Sequence, residues 1–191
     1  MHNKLSGRFT FRSLIQFALP TIIMMVFMSL YSMVDGIFVS RLLGTNALSA
    51  VTLVYPIISV VIAVGIMLAA GASAIIAGKM GEGKNPEARQ DFTLVVITGF
   101  VLGLVMTLLG FLFLDPLLRF LGANDAIFSL CWDYSFVLLG FTTLSIMQMI
   151  FQFFFVTAGK PGLGLFVTVL GGLANIVLDY VFIAICNWGI A

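Results

Sequence analysis

Charged residues divide this chain into five long apolar runs, and this feature limits its possible folds more than any other. Each run supplies the roughly 20 residues that a helix needs to cross about 30 Å of hydrocarbon. Because lipid offers no partner to backbone polar groups, only helices or closed barrels span it, and uninterrupted runs favour helices. The sequence therefore predicts an all-α membrane protein with transmembrane helices at about 14–40, 48–78, 92–114, 134–158 and 163–185.

The composition excludes a soluble domain and gives no reason to expect a nucleic-acid partner. Hydrophobic residues make up 61% of the chain and charged residues 9%, whereas charged residues are about 25% of an ordinary soluble domain. The formal net charge is only +1. The expected partner is therefore the lipid bilayer. Cys131 and Cys186 are too few for a metal site, and whether they form a disulfide stays open.

The basic residues predict the orientation in the membrane. With the N-terminus inside, the outer segments hold only Arg41 and Arg119. Cytoplasmic loops of membrane proteins carry the excess of lysine and arginine, so we expect a multi-pass protein of the cell (inner) membrane with a cytoplasmic N-terminus. The inner segments then hold Lys4, Arg8, Arg12, Lys79, Lys84, Arg89 and Lys160.

Two connections have predictable local structure. In the inner loop, Asn85, Pro86 and Glu87 follow the pattern of an N-cap, a proline at the first helical position and an acid in the first turn. The outer stretch 115–133 mixes charges with large apolar side chains. We expect it to form a helical extension at or above the membrane interface.

Asp35 and Asp179 are the charges that cannot be assigned to loops or helix ends. A carboxylate at bilayer depth costs roughly 2.5–3.5 kcal/mol, and such residues usually face a cavity, an ion path or a proton relay. Counted along each helix, Asp35 lies roughly 31 Å above Leu14 and Asp179 roughly 24 Å above Leu163, so both fall in the outer half of the bilayer. Asn175 lies one helical turn before Asp179 and on the same face.

Asp35, Asn175 and Asp179 are therefore the predicted ion-coupling residues. Two carboxylates and an amide carbonyl begin to supply the several oxygens that Na⁺ needs, so a Na⁺ site is one interpretation. Proton binding is the other, because it needs only a carboxylate that burial or a second acid makes easier to protonate. A third interpretation is structural, with each carboxylate hydrogen-bonded to a neighbouring helix. No cofactor is expected besides the coupling ion.

Polar and soft side chains share faces with these residues and are the candidate substrate-binding groups. Helical spacing places them on the first, fourth and fifth predicted helices. Flexible methionine side chains and aromatic rings suit the binding of flat organic cations. Contact with lipid explains most of the methionines and phenylalanines equally well. The candidates are Met28, Tyr31, Gln148, Gln152, Thr168 and Gly172.

Small residues recur at four-residue spacing on three of the predicted helices. Such rows let helix backbones approach closely. They are interpreted either as surfaces along which helices slide or bend, or simply as packing seams. The rows are Gly65, Ala69, Ser73 and Ala77 on the second helix, Gly99, Gly103 and Thr107 on the third, and Gly164, Thr168 and Gly172 on the fifth.

Several stretches of the chain resemble the multidrug and toxic compound extrusion (MATE) transporters. Residues 18–20 and 33–44 are similar to that family's first helix, residues 159–161 to its junction of helices four and five, and residues 173–180 to its fifth helix. The resemblance implies a transporter rather than an enzyme, one that exchanges organic cations or drugs for H⁺ or Na⁺. It also implies that Asp35, Asn175 and Asp179 serve the coupling cation.

Members of that family have twelve helices in two six-helix lobes. Residues 187–191 resemble the approach to a sixth helix, so the chain is expected to be an incomplete N-terminal lobe that lacks the sixth helix and the second lobe. Its partners would then be the C-terminal lobe of the same protein and small organic cations or drugs. Transport by this lobe alone is not expected, because alternating access needs two lobes around one cavity.

Two other classes of membrane protein are alternatives to a drug transporter. A lipid-linked precursor flippase of a related fold would need arginine or lysine in its cavity to hold a pyrophosphate, and no basic residue lies inside a predicted span. An intramembrane aspartyl protease also uses two carboxylates in the membrane. However, the residues around Asp35 and Asp179 differ from the Tyr-Asp and Gly-Leu-Gly-Asp settings of such proteases.

Overall fold

The computed structural model describes residues 11–38, 41 and 45–181, and these residues are almost entirely helical. Within them there is no strand, and the predicted all-α membrane fold is confirmed. The helices of the described part are α1 (Phe11–Phe38), α2 (Thr45–Gly81), α3 (Asn85–Leu112), α4 (Leu114–Phe120), α5 (Phe128–Gly140), α6 (Thr142–Thr157) and α7 (Pro161–Asp179).

The predicted spans correspond to α1, α2, α3, the pair α5–α6, and α7. Among the described residues, α2, α3 and α7 are each long and apolar enough to cross a membrane, and the α5–α6 pair makes a fourth candidate span if it is counted as one. Helix α1 contributes a shorter apolar stretch, Ala18–Val34. The fourth run, predicted as one helix over 134–158, instead begins at Phe128 and is bent by 51° between Gly140 and Thr142.

Hydroxyl side chains explain why the fourth span tolerates this break. Phe141, with φ −96° and ψ 2°, donates its N–H to carbonyls of the preceding turn, and the helical bonding pattern is interrupted there. The carbonyl of Leu138 accepts a hydrogen bond from Thr142 Oγ1 at 3.4 Å, and that of Leu139 accepts one from Thr107 Oγ1 of α3 at 3.1 Å. Threonine hydroxyls commonly satisfy backbone groups freed at such breaks in membrane helices.

Replacing Thr107 with valine tests this role of the hydroxyl. The substitution keeps the side-chain shape but removes the hydrogen bond that α3 donates to the Leu139 carbonyl, so we expect the free energy of unfolding to fall by about 1 kcal/mol. Thermal unfolding of the purified protein in detergent measures the change. Thr93→Val is the matched control, because the Thr93 hydroxyl donates to the Arg89 carbonyl of its own helix. Equal unfolding temperatures for the two variants would contradict the role assigned to Thr107.

Helices α2, α3 and α6 pack tightly against one another, and two of the predicted small-residue rows lie at their contacts. A Cβ atom at Gly65 would lie 2.6 Å from the Met149 sulfur, and one at Gly103 would lie 2.8 Å from the Thr143 Cα. A Cβ at Gly99 would overlap Ile150. Atoms of a neighbouring helix occupy the space beside each of these glycines. The structure therefore favours the packing-seam interpretation for α2 and α3.

The predicted inner end of the bundle is closed by a tight turn between α2 and α3. Gly83 adopts φ +79°, and Asn85 donates its N–H to the Gly83 carbonyl at 2.9 Å. The prediction of Asn85 as N-cap is therefore wrong by one residue: α3 begins at Asn85, and Lys84, without a side-chain capping bond, precedes it. Glu87 lies in the first turn, as predicted.

The predicted outer stretch 115–133 is largely helical, as expected. It contains α4 and the first half of α5, which pack together over the buried Leu118 and Cys131. Trp132 Nε1 donates a hydrogen bond to Asp115 Oδ1 at 3.0 Å, which ties α5 to α4. Cys186, the other cysteine, lies outside the described residues. The position of this stretch at the membrane interface stays a prediction.

Candidate functional site

A cavity of about 580 Å³ lies where α1 and α7 face α6. Helix α1 packs mainly against α7, while α6 belongs to the α2–α3 group, so the cavity separates two groups of helices. All six predicted substrate-binding residues line it, together with Asn175 of the predicted ion-coupling set. The lining residues are Met28, Tyr31, Gln148, Phe151, Gln152, Phe155, Gly164, Val167, Thr168, Gly171, Gly172 and Asn175.

Gln152 joins the two groups of helices across this cavity. Its Nε2 donates to the sulfurs of Met24 and Met28, each at 3.4 Å. Thioether sulfur is a weak acceptor, and an amide nitrogen has two N–H groups to give. These contacts place the Met28 side chain in the cavity wall and connect α6 directly to α1.

Glycines on α7 allow both neighbouring helices to come close. A Cβ atom at Gly172 would lie 2.6 Å from Phe27 Cε1 and 3.2 Å from Tyr31 Cδ1 of α1. At Gly164 a Cβ would lie 3.2 Å from Phe155 Cβ of α6. The small-residue row of α7 therefore serves packing on two sides, and its remaining surface forms one wall of the cavity.

The side chains of Asp35 and Asp179 lie outside the described part of the structure. Position 35 follows Tyr31 by one turn on α1, and position 179 is the last residue of α7, one turn after Asn175. The cavity thus reaches residues adjacent along the helix to both predicted carboxylates. Their coupling role stays a prediction.

The described lining carries no formal charge, and its polarity comes from amide and hydroxyl groups. Gln148, Gln152 and Asn175 offer amides, Tyr31 and Thr168 offer hydroxyls, and two phenylalanines add aromatic faces. Such a surface offers hydrogen-bond acceptors and π faces, which attract cations once these are removed from water. It offers no ammonium or guanidinium to hold an anion.

Phe151 and Phe155 line the cavity but were not among the predicted site residues. Their sequence signal is the spacing 148, 151, 152 and 155, which places them on the same helix face as both glutamines. Phe154 differs, because it lies in the core with its ring centroid 4.6 Å from that of Phe92. Phe151 and Phe155 therefore line the cavity and Phe154 lies in the core, because they are on different faces of α6.

Comparison with known proteins places this architecture among transporters. The sequence model of the MatE family matches residues 20–181. An FAD transporter of Shewanella oneidensis is 27% identical over 168 residues, covering 88% of this chain and 37% of that protein. The multidrug export protein MepA of Staphylococcus aureus is 24% identical over 177 residues, covering 91% and 38%.

A solved structure agrees with the sequence relatives. The outward-facing conformation of a multidrug resistance MATE family transporter superposes with a TM-score of 0.87 at 30% identity, over 92% of this chain and 39% of that one. The chain therefore spans less than half the length of the relatives it matches. The residues that the family model matches include the whole cavity lining on α1, α6 and α7.

Proposed function

This chain belongs to the MatE family, and on that premise we propose that it forms most of one lobe of a cation-coupled antiporter that exports organic cations or drugs. It is a multi-pass membrane protein. The observation that carries the proposal is the uncharged, partly aromatic cavity between α1, α6 and α7. The proposed location is the cytoplasmic membrane with the N-terminus inside, as the distribution of basic residues indicates.

The nature of the cavity supports a cationic rather than an anionic substrate. The FAD named for one relative carries a pyrophosphate, and the cargo of a lipid-linked precursor flippase does too. A buried pyrophosphate requires arginine, lysine or a metal ion close to its oxygens, and the described lining contains no arginine or lysine. An organic cation instead meets amide oxygens, aromatic faces and the proposed carboxylates nearby.

In the proposed mechanism Asp35, Asn175 and Asp179 bind H⁺ or Na⁺ when the cavity is open to the outside. Neutralising the carboxylates weakens the hold on a cationic substrate, which leaves, and the ion-loaded lobe returns to the inward-facing state. By linkage, the coupling ion and the substrate weaken each other's affinity by the same factor. A second lobe is required, because access alternates when two lobes rock around one cavity.

The complete protein in lipid vesicles tests the proposal. We expect an outward flow of a fluorescent organic cation such as ethidium when either a pH gradient or a Na⁺ gradient is imposed alone, and the effective gradient identifies the coupling ion. Vesicles without protein and vesicles with both gradients collapsed are the controls. Efflux that needs neither gradient would contradict cation coupling.

A pair of charged substitutions at Gln148 tests the sign of the substrate charge. Gln148→Lys puts a positive charge in the cavity wall and is expected to weaken ethidium binding about tenfold or more, since like charges near each other repel even at an effective dielectric constant of about 20. Gln148→Glu is the matched variant and should bind ethidium at least as well as the parent. Fluorescence titration in detergent measures both affinities.

FAD serves as the anionic probe in the same titrations. If the cavity takes an anion, the parent itself binds FAD and not ethidium, and Gln148→Glu weakens that binding of FAD. That result would overturn the proposal of an organic cation as cargo while leaving the family assignment intact.

A further inference from the structure

A second cavity, of about 400 Å³, lies at the predicted inner end of the bundle between α2, α3 and α6. Its back wall is apolar and buried, formed by Ile76, Ala88 and Phe154. Its mouth carries Asn85, Arg89 and the partly buried Thr157. An apolar interior with one basic residue at the opening makes this an amphipathic site. The first cavity, between α1, α6 and α7, does not extend to it.

Among the described residues, the charges around this mouth pair with one another and not with Arg89. Lys79 Nζ lies 2.7 Å from Asp91 Oδ2 and 3.5 Å from Glu87 Oε2, and Lys84 Nζ lies 2.8 Å from Glu82 Oε2. The acidic side chains of this loop are therefore in ion pairs with the two lysines.

Among the described residues no acidic side chain forms an ion pair with Arg89 or with Lys160, which follows the cavity-lining Ala158 by two positions. Two cations thus flank α6 at this end with no partner in the described part of the chain.

Arg89 also borders a second recess, which lies on the surface of α3. This open groove of about 390 Å³ continues along the helix past Leu94 and Ile97, whose side chains are 64% and 55% exposed. One guanidinium therefore lies at the junction of two recesses that both lead to apolar side chains. A free phosphate would use only the guanidinium, whereas a molecule with a charged head and two hydrocarbon chains matches all three features.

We propose that this site binds an anionic phospholipid of the inner leaflet, with its phosphate at Arg89 and an acyl chain in the cavity between α2, α3 and α6. Basic pockets between transmembrane helices at the cytoplasmic side are known binding places for acidic lipid head groups. The site is separate from the cavity between α1, α6 and α7, so the lipid proposal does not depend on the proposed substrate. Only the choice of leaflet rests on the predicted orientation.

Native mass spectrometry of the purified protein in detergent tests the site with three probes: dioleoylphosphatidylglycerol, dioleoylphosphatidylcholine and glycerol 3-phosphate. We expect one phosphatidylglycerol to bind at least fivefold more tightly than phosphatidylcholine, which corresponds to about one basic residue at a membrane surface. Glycerol 3-phosphate, which has the head group without the chains, is expected not to bind measurably.

Three substitutions assign the binding to this place. Arg89→Gln is expected to remove the preference for phosphatidylglycerol while leaving phosphatidylcholine binding unchanged, and Arg89→Lys should restore most of it. Ala158→Trp, at an exposed position in the cavity lining, fills the recess and should weaken both lipids. Lys84→Gln is the matched control, since it removes one positive charge at the same end without lining the cavity.

Two results would overturn the proposal. The first is an undiminished preference for phosphatidylglycerol in Arg89→Gln, with the variant shown by circular dichroism to be folded. The second is binding of glycerol 3-phosphate as tight as that of the lipid, which would make the site one for soluble anions.

Discussion

Asp35→Asn in the complete protein is expected to abolish efflux driven by a pH or Na⁺ gradient while leaving expression unchanged. The substitution keeps the size of the side chain and removes the group that is charged in one state and neutralised in the other. Without that change the coupling ion has no differential affinity for the two states, and a ligand without differential affinity shifts no conformational equilibrium. Efflux should fall to the level of vesicles without protein.

Binding measurements separate loss of coupling from loss of the protein. In Asp35→Asn, ethidium should bind in detergent with the weaker affinity of the ion-loaded parent, and this affinity should no longer depend on pH or Na⁺. Asp125→Asn is the matched control, because Asp125 is exposed and forms an ion pair with Arg119 in the predicted outer stretch 115–133. Undiminished gradient-driven efflux by Asp35→Asn would refute the coupling role, and an affinity for ethidium that still depends on pH or Na⁺ would point to Asp179 as the carboxylate that matters.

Gly103→Val is expected to cause a larger loss of stability than a valine at a helical glycine that faces open space. A Cβ atom at Gly103 would lie 2.8 Å from the Thr143 Cα and 3.1 Å from its Oγ1. Because the nearest neighbour is backbone, no side chain can rotate away, and α3 must separate from α6. Overpacking of this kind costs typically 1–3 kcal/mol, which corresponds to roughly 2–4 °C of melting temperature per kcal/mol in a chain of this size.

Gly71→Val provides the matched control, since Gly71 lies in α2 with no atom within 4 Å of the position of its Cβ. Thermal unfolding in detergent should show a lower melting temperature for Gly103→Val than for Gly71→Val, with Gly103→Ala between them. The separation should also weaken the Thr107–Leu139 hydrogen bond one turn further along α3. Equal melting temperatures for the two valine variants would contradict the close approach of α3 and α6.

The helices, and the polar stripe on each helix that lines the cavity, followed from the sequence because both are local properties. Length and the absence of charge identified the apolar runs. Helical spacing then placed Gln148 with Gln152, and Thr168 with Gly172 and Asn175, on shared faces. Each of these faces lines the cavity between α1, α6 and α7.

The break at Phe141 did not follow from the sequence. Gly140 and the hydroxyls after it are compatible with a continuous helix, and the bond that stabilises the bent form comes from Thr107, more than thirty positions earlier. The exact start of α3 was missed for a similar reason. Backbone bonds around Gly83 close that turn, so the Asn85 side chain is not needed as a cap.

What the amino-acid order settled is therefore the set of membrane helices and the polar stripe that each one carries. Which stripes face each other, and which small residues admit a neighbouring backbone, was decided by packing in three dimensions. The physical reason is that lipid and a neighbouring helix are equally apolar surroundings, so hydropathy does not distinguish the exposed Phe166 from the core residue Ile150. Only the shapes of surfaces distant in sequence, such as Gly103 against Thr143, select the partner.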